Sequence, residues 1–269
     1  RRMMTTKIFE EAREKYGIEK FYGCLSGGKD SITATDFADK HGFLNGVLFI
    51  DTTIGTVNSR TGERSTKDFV IDYCKERGWK LTILTPAMNY EEFVMKFGFP
   101  TFRFHNVVMG HLKYQPLRKF VLEQRPEKVA LISGVRKFES KRRRRTMQPI
   151  IKDGSMIFVA PIFNWTTEQV WKYVEESSLP VSPCYKSLNM SGDCLCGAFA
   201  DAKEAMTIRI VYPEVAERIS ELEKRCPKKQ NRWGNSGMTG TKTQTTLKSK
   251  PTQMEQAICG SDCQIYNQK

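Results

Sequence analysis

The sequence predicts an α/β protein with a doubly wound, mostly parallel, five-stranded sheet and helices on both faces. Three observations carry this. Short apolar runs alternate with amphipathic segments in the order βαβαβαβ. The runs are apolar throughout rather than every second residue, as in strands buried on both faces. The first run, Phe21-Tyr22-Gly23-Cys24-Leu25, breaks into Ser26-Gly27-Gly28-Lys29-Asp30-Ser31 and is followed by an amphipathic segment, which reads as strand, tight turn and helix start.

The elements follow in order. Residues 7–17 read as a leading helix with Ile8, Phe9, Ala12 and Tyr16 on one face. After the first strand and turn, 29–40 is helical and Gly42 ends it. Residues 43–51 form a second buried strand closing on Asp51. A helix over 66–77 with Phe69, Val70 and Tyr73 inward leads to a strand at 80–84. Residues 88–98 and 107–124 read as helices separated by Gly98-Phe99-Pro100. Strands are expected at 128–134 and 155–160. Thr166 with Gln169 three residues on is a capping-box pattern for the next helix. Beyond Pro180 the texture changes: 185–196 reads as loop, and 203–225 as helix broken near Pro213, a residue suited to a first helical position. The expected division is a nucleotide-binding α/β domain over 1–183 and a helical, cysteine-rich segment over 184–269.

Composition bounds the function. At 269 residues, 39% hydrophobic and 27% charged, the chain has the balance of a globular protein. No run of about 18 apolar residues predicts a membrane span, and the first residues lack a signal-peptide core, so a cytoplasmic location with no membrane partner is expected. The net charge of +13 points to an anionic partner, and 136–145 alone holds seven cations against Glu139.

The turn at 26–31 is built for a phosphate chain. Paired glycines admit a ligand close to the backbone, the helix start aims N–H groups at it, and Ser26, Ser31 and Lys29 add donors. It is neither G-x-x-x-x-G-K-[ST] nor G-x-G-x-x-G. In a doubly wound sheet the ligand lies beyond the strand carboxyl ends, and there Asp51 and Thr52 join the turn, with Asp51 read either as a Mg²⁺ or sugar-hydroxyl ligand or as a helix cap. Gly134, Arg136, Glu139, Ser140 and Arg143 follow the fourth strand. Gly134 permits close approach, and the two arginines suit bidentate contacts to phosphate or sulfate.

Ser26-Gly27-Gly28-Lys29-Asp30-Ser31 matches the PP-loop signature S-G-G-x-D-S of ATP pyrophosphatases. That loop, Asp51-Thr52, Gly134-x-Arg136-x-x-Glu139-Ser140-x-x-Arg143, and Pro161-Ile162-x-x-Trp165-Thr166 through Pro183-x-Tyr185 recur in this order in the phosphoadenosine phosphosulfate (PAPS) reductase family. The chain resembles that family over roughly residues 20–200. The resemblance implies a PP-loop fold and an adenine nucleotide at Ser26 to Ser31. Sulfonucleotide reductases carry a Glu-Cys-Gly-x-His motif; here Ile258 precedes Cys259 and Asp262 replaces the histidine. The intact loop instead resembles members that cleave ATP and pass sulfur to a nucleic acid or other acceptor, with Lys29 and Asp30 in the reaction and Asp30 or Asp51 holding Mg²⁺.

The cysteines form a second pattern. Eight in a chain expected to be cytosolic argue for metal or redox chemistry rather than disulfides. Cys194, Cys196, Cys259 and Cys263 supply the four thiolates of a [4Fe-4S] cluster or, alternatively, zinc or free catalytic thiols, with Cys184 as a substitute ligand. Cys24 and Cys74 read as core. Phe102, Phe104 and Tyr114, interleaved with Arg103, His105 and Lys113, are a candidate stacking surface for nucleic acid.

Three functions are therefore expected in order. The first is ATP cleavage to an adenylated intermediate and pyrophosphate for sulfur transfer, with a sulfur-donor protein and a DNA or RNA acceptor. The second is sulfonucleotide reduction through Cys259 or Cys263 with thioredoxin as reductant. The third is a nucleotide-gated nucleic-acid-binding module built on the 136–145 run.

Overall fold

The computed structural model describes residues 2–60, 62–139, 147–228 and 232–234. Ser140, Arg143, Cys259 and Cys263 lie outside the described residues, as does the rest of the basic run from 141 to 145.

Six strands form one sheet: β1 (Lys20–Cys24), β2 (Leu44–Ile50), β3 (Leu81–Leu84), β4 (Val129–Ile132), β5 (Ile150–Asp153) and β6 (Met156–Val159), in the order β3-β2-β1-β4-β6-β5. Five are parallel, and β5 runs antiparallel to β6. The sheet thus has one strand more than the sequence predicts. β5 escapes the apolar-run criterion because only Ile151 among its four residues is buried. A two-residue turn with Gly154 at φ 57° folds it back on β6 as an edge hairpin.

Ten helices surround the sheet among the described residues: α1 (Arg2–Tyr16), α2 (Lys29–Lys40), α3 (Thr66–Arg77), α4 (Tyr90–Phe97), α5 (His105–Met109), α6 (Gln115–Glu123), α7 (Thr167–Glu176), α8 (Cys184–Leu188), α9 (Ala202–Val211) and α10 (Pro213–Arg225). A π-helical turn, Gly110–Tyr114, joins α5 to α6. The expected capping box is present at α7: Thr166 Oγ1 accepts from Gln169 N, and Gln169 returns the bond. Pro213 opens α10, where its missing N–H has no helical partner to lose. Of residues 185–196, expected as loop, the first four fall in a short helix, Cys184–Leu188, instead. None of the described helices is long and apolar enough to cross a membrane.

Period-two alternation sorts the strands onto two cores. Val47, Phe49, Ala130 and Ile132 face one layer with Phe9, Ile32, Phe37, Val70 and Val174 from α1, α2, α3 and α7. Leu48, Ile50, Leu131 and Phe158 face the other, with Leu117, Phe120 and Val121 of α6. A third cluster has no strand in it. Tyr90, Phe93 and Val94 of α4 meet Cys184, Leu195, Cys196, Ile208, Ile219 and Trp233, drawing on residues from both sides of the expected boundary at 183/184. This cluster anchors the cysteine-bearing loop against the sheet's carboxyl edge.

Glu204 lies in this third region, 8% exposed, and burial together with the charges of Asp201 and Cys194 raises its carboxyl to about 7. A carboxyl raised in the folded state stabilises it only while protonated: the contribution is present below the ordinary value and is lost as pH rises towards 7. Glu204→Gln should therefore leave stability at pH 4.5 nearly unchanged and add about 3 kcal/mol at pH 8. Urea unfolding at the two pH values measures this. An equal change at both would contradict it.

Candidate functional site

The strand order places β1 and β4 side by side at the point where the chain winding reverses. The loops after these two strands meet there. Gly27 takes φ 86°, a conformation open to glycine, and Gly28 in extended geometry leads into α2. The turn is closed internally: Ser31 Oγ donates to Gly28 O at 2.9 Å and lies 3.0 Å from Ser26 Oγ. The first N–H groups of α2 have no carbonyl within the helix to bond to, and the helix dipole makes them a site for negative charge.

Asp30 ties this turn to the β4 loop. Its Oδ1 accepts from Arg136 Nε at 2.6 Å and its Oδ2 from Lys29 Nζ at 2.7 Å, with all three side chains essentially buried. Asp30, one of the two carboxylates expected as a Mg²⁺ ligand, thus has both oxygens engaged by cations. Arg136 also reaches Trp165 O at 3.4 Å and Thr167 Oγ1 at 3.3 Å, while its backbone N–H donates to Glu139 at 3.1 Å. Its Nη2 is buried and has no acceptor within hydrogen-bond distance. Gly134 allows the approach: a Cβ there would sit 2.6 Å from the Asp30 carbonyl carbon. Lys29 Nζ additionally lies 5.5 Å from the Tyr185 ring centroid.

Beside the turn, a cleft of about 440 Å³ opens at the end of β2, lined among others by Asp51, Thr53, Thr66, Lys67, Asp193 and Arg218. Asp51 accepts from Lys67 Nζ at 2.7 Å and Thr53 N at 3.0 Å. Thr53 sits at φ 64°, unusual for a β-branched residue, where its Oγ1 accepts from Tyr90 N and its carbonyl from Arg218 Nη1, each at 2.8 Å. Thr52 is buried and donates to Asp193 O at 2.6 Å. Thr66, at the start of α3, links cleft and phosphate turn. Its hydroxyl contacts Ser182 Oγ at 2.8 Å, Cys184 Sγ at 3.3 Å and Ser191 O at 2.6 Å, while Ser182 N donates to Gly27 O at 2.9 Å.

The cysteine loop forms the far wall. Lys113, turned inward by the π-helical turn, donates to Asp193 Oδ2 at 2.6 Å, and Ser191 Oγ bonds the other oxygen. A hydrogen bond from Cys196, helped by the Lys113 charge, lowers the Cys194 thiol to about 7 against the cost of burial. Burial pushes Cys24 and Cys74 up to about 12, in keeping with inert core thiols. Cys184 does not join Cys194 and Cys196: its sulfur sits in the hydroxyl cluster of Thr66 and Ser182. Among the described residues no three His, Cys, Asp or Glu side chains converge on one point. The described chain supplies two of the four thiolates that a cubane cluster or tetrahedral zinc takes.

Ser26 to Ser31, Asp51, Thr52, Gly134, Arg136 and Glu139 therefore share one edge, with Cys194 and Cys196 across the cleft. The aromatic and basic residues at 102–114 divide instead. Phe102 and Phe104 are exposed, whereas His105, Lys113 and Tyr114 are buried, so they form no continuous stacking surface. Lys113, Thr66, Ser182 and Asp193 were not expected here. A π-helical turn leaves no periodic mark by which Lys113 could be read as inward-facing.

Comparison with known proteins identifies the family to which the chain is similar. The phosphoadenosine phosphosulfate reductase domain family matches residues 20–196. An uncharacterized protein of Methanocaldococcus jannaschii is 29% identical over 213 residues, 77% of this chain and 42% of that protein. The chain thus spans less than half of that relative's length. An adenosine 5′-phosphosulfate reductase of Oceanobacillus iheyensis is 26% identical, covering 74% of this chain and 85% of the enzyme. Among solved structures, a phosphoadenylyl-sulfate reductase of Candida auris is 20% identical, with a TM-score of 0.48 over 68% of this chain and 83% of that one. The chain belongs to the phosphoadenosine phosphosulfate reductase domain family.

Proposed function

We propose that the chain binds ATP with its β- and γ-phosphates on the Ser26–Ser31 turn and cleaves it to an adenylated acceptor and pyrophosphate for sulfur transfer. The observation that carries this reading is the complete turn, with Gly27 at φ 86° and α2 behind it, braced by the Asp30–Arg136 pair. An acceptor oxygen attacks the α-phosphorus, a new P–O bond forms, the bond to the bridging oxygen breaks, and its electron pair leaves on pyrophosphate. Backbone N–H groups at the start of α2, Ser26, Ser31 and Lys29 stabilise that departing charge. Lys29 reaches the phosphates by exchanging part of its bond to Asp30. Mg²⁺, when bound with the nucleotide, would be held by Asp51, a carboxylate lining the cleft, and would offset phosphate charge. Arg136, whose buried Nη2 makes no hydrogen bond and lies 3.9 Å from Glu139, and Arg143 receive a second anionic group. The acceptor is a nucleic acid, in keeping with the +13 charge. Cys194 and Cys196 are the described ligands we assign to a [4Fe-4S] cluster completed by Cys259 and Cys263, which when bound would hold sulfur for transfer.

A second reading is favoured by the curated relatives, several of which are named adenosine 5′-phosphosulfate reductases. Here a thiolate of Cys259 or Cys263 attacks the sulfate sulfur of adenosine 5′-phosphosulfate, an S–S bond forms, the S–O bond to the phosphate breaks, and AMP leaves with its electron pair. A dithiol protein such as thioredoxin then releases sulfite.

Wild-type protein incubated with ATP and mixed tRNA or DNA should release pyrophosphate, and Lys29→Ala should lower the rate at least a hundredfold. Sulfite release from adenosine 5′-phosphosulfate, lost in Cys259→Ser and without pyrophosphate from ATP, would establish the second reading instead.

Gly134→Ala should weaken ATP binding at least tenfold, because its Cβ displaces the Asp30 backbone at the start of α2. Titration calorimetry against ATP measures this. Unchanged affinity in a folded variant would contradict the brace.

A further inference from the structure

The opposite edge of the sheet, where the parallel strands begin, holds a second cleft of about 650 Å³. It lies among the α1–β1 turn, the α6–β4 connection and the β5–β6 hairpin. Ile18 and Ile157 are part of its apolar floor, Tyr16 stands on one wall, and Arg125, Lys128 and Lys152 line it as exposed cations. The volume falls in the range that holds a small organic ligand, roughly 300–1,000 Å³. β1 separates this cleft from the phosphate turn by five residues, about 16 Å of strand, so one bound nucleotide cannot occupy both.

The local charge is lopsided. Glu127, the acidic residue of the lining, is already 2.6 Å from Lys20. The side chains of Arg125, Lys128 and Lys152 form no ion pair within 4 Å among the described residues, although the Lys128 backbone N–H donates to the Glu19 carboxylate at 3.0 Å. Lys152 is held to the wall by the Tyr16 ring, its Nζ 5.9 Å from the centroid. Three cations without a side-chain ion pair beside an apolar floor favour an anionic ligand over a neutral one, and a bare phosphate would leave the floor uncovered. The complementary ligand has a flat apolar body and at least one strongly anionic group.

We propose that this cleft is a second nucleotide-binding site, taking a base against Ile18, Ile157 and Tyr16 and its phosphate on Arg125, Lys128 and Lys152. The nucleotide unit comes either from a free mononucleotide or from a single-stranded nucleic acid whose other phosphates run over the basic surface. This site is independent of the reaction proposed at the carboxyl edge.

The test uses the full chain and two probes: uridine 5′-monophosphate by calorimetry, and a 3′-fluorescein-labelled octauridylate by anisotropy at 50 and 200 mM salt. Lys128→Glu/Lys152→Glu should weaken binding of at least one probe tenfold or more while leaving ATP affinity at the phosphate turn unchanged. Tyr16→Ala should weaken the same probe while the cations remain. Loss confined to octauridylate, with a salt slope reduced by roughly 0.7 for each phosphate contact removed, identifies the polynucleotide as the source. Loss shared by the mononucleotide identifies the free ligand. If the charge-reversed chain does not fold, Lys128→Gln/Lys152→Gln replaces it, with the same expected direction. The proposal is overturned if neither probe binds the wild type, if the variants bind both probes as the wild type does, or if inorganic phosphate competes as well as uridine 5′-monophosphate.

Discussion

A single buried carboxylate organises the carboxyl edge of the sheet. Asp30 stands between Arg136 Nε and Lys29 Nζ, 2.6 and 2.7 Å away, with almost no solvent at any of the three. Burying such ions costs several kcal/mol each, and only close pairing with further hydrogen bonds offsets the cost. Arg136 obtains those bonds from Trp165 and Thr167, and Glu139 lies 3.9 Å away. The consequence is positional. The loop after β1 and the loop after β4 cannot move apart without stranding a charge, so the start of α2 is fixed against the β4 loop. Gly134 is the geometric condition for this, since any side chain there would meet the Asp30 backbone.

A hydroxyl network extends that rigidity towards the cysteines. Ser182 holds the Gly27 carbonyl, Thr66 bonds Ser182 and the Ser191 carbonyl, and Asp193 meets Lys113 on one side and Thr52 on the other. The phosphate turn, the β2 loop and the loop bearing Cys194 are thus successive members of one polar chain. Such a chain, fully bonded in a low-dielectric setting, favours one arrangement over its neighbours. Cys194, with its thiol near neutrality, stands at the end of it.

Much of this was legible in the residues. The Ser26–Ser31 turn, the strands at β1, β2 and β4, the capping box at Thr166 and the break at Pro213 each carry a local signal that tertiary packing reinforced. What stayed hidden was of another kind. β5 buries a single residue and owes its place to pairing with β6. Lys113 faces inward because a π-helical turn shifts the helical phase, which no periodicity reveals. Asp30 reads as a metal ligand in a motif, yet its partner Arg136 is 106 residues away, a pairing that only the strand order creates. Cys184, read as a substitute ligand beside Cys194 and Cys196, is drawn away by Thr66 and Ser182.

The central claim is that the braced turn grips a pyrophosphate rather than a nucleoside monophosphate unit. Titration of wild-type protein with AMP, ADP and ATP under identical Mg²⁺ and salt tests it most directly. The account predicts that affinity rises at least tenfold from AMP to ATP, since the start of α2 meets the β- and γ-phosphates. Equal affinity for AMP and ATP, or adenosine 5′-phosphosulfate bound more tightly than ATP, would contradict it.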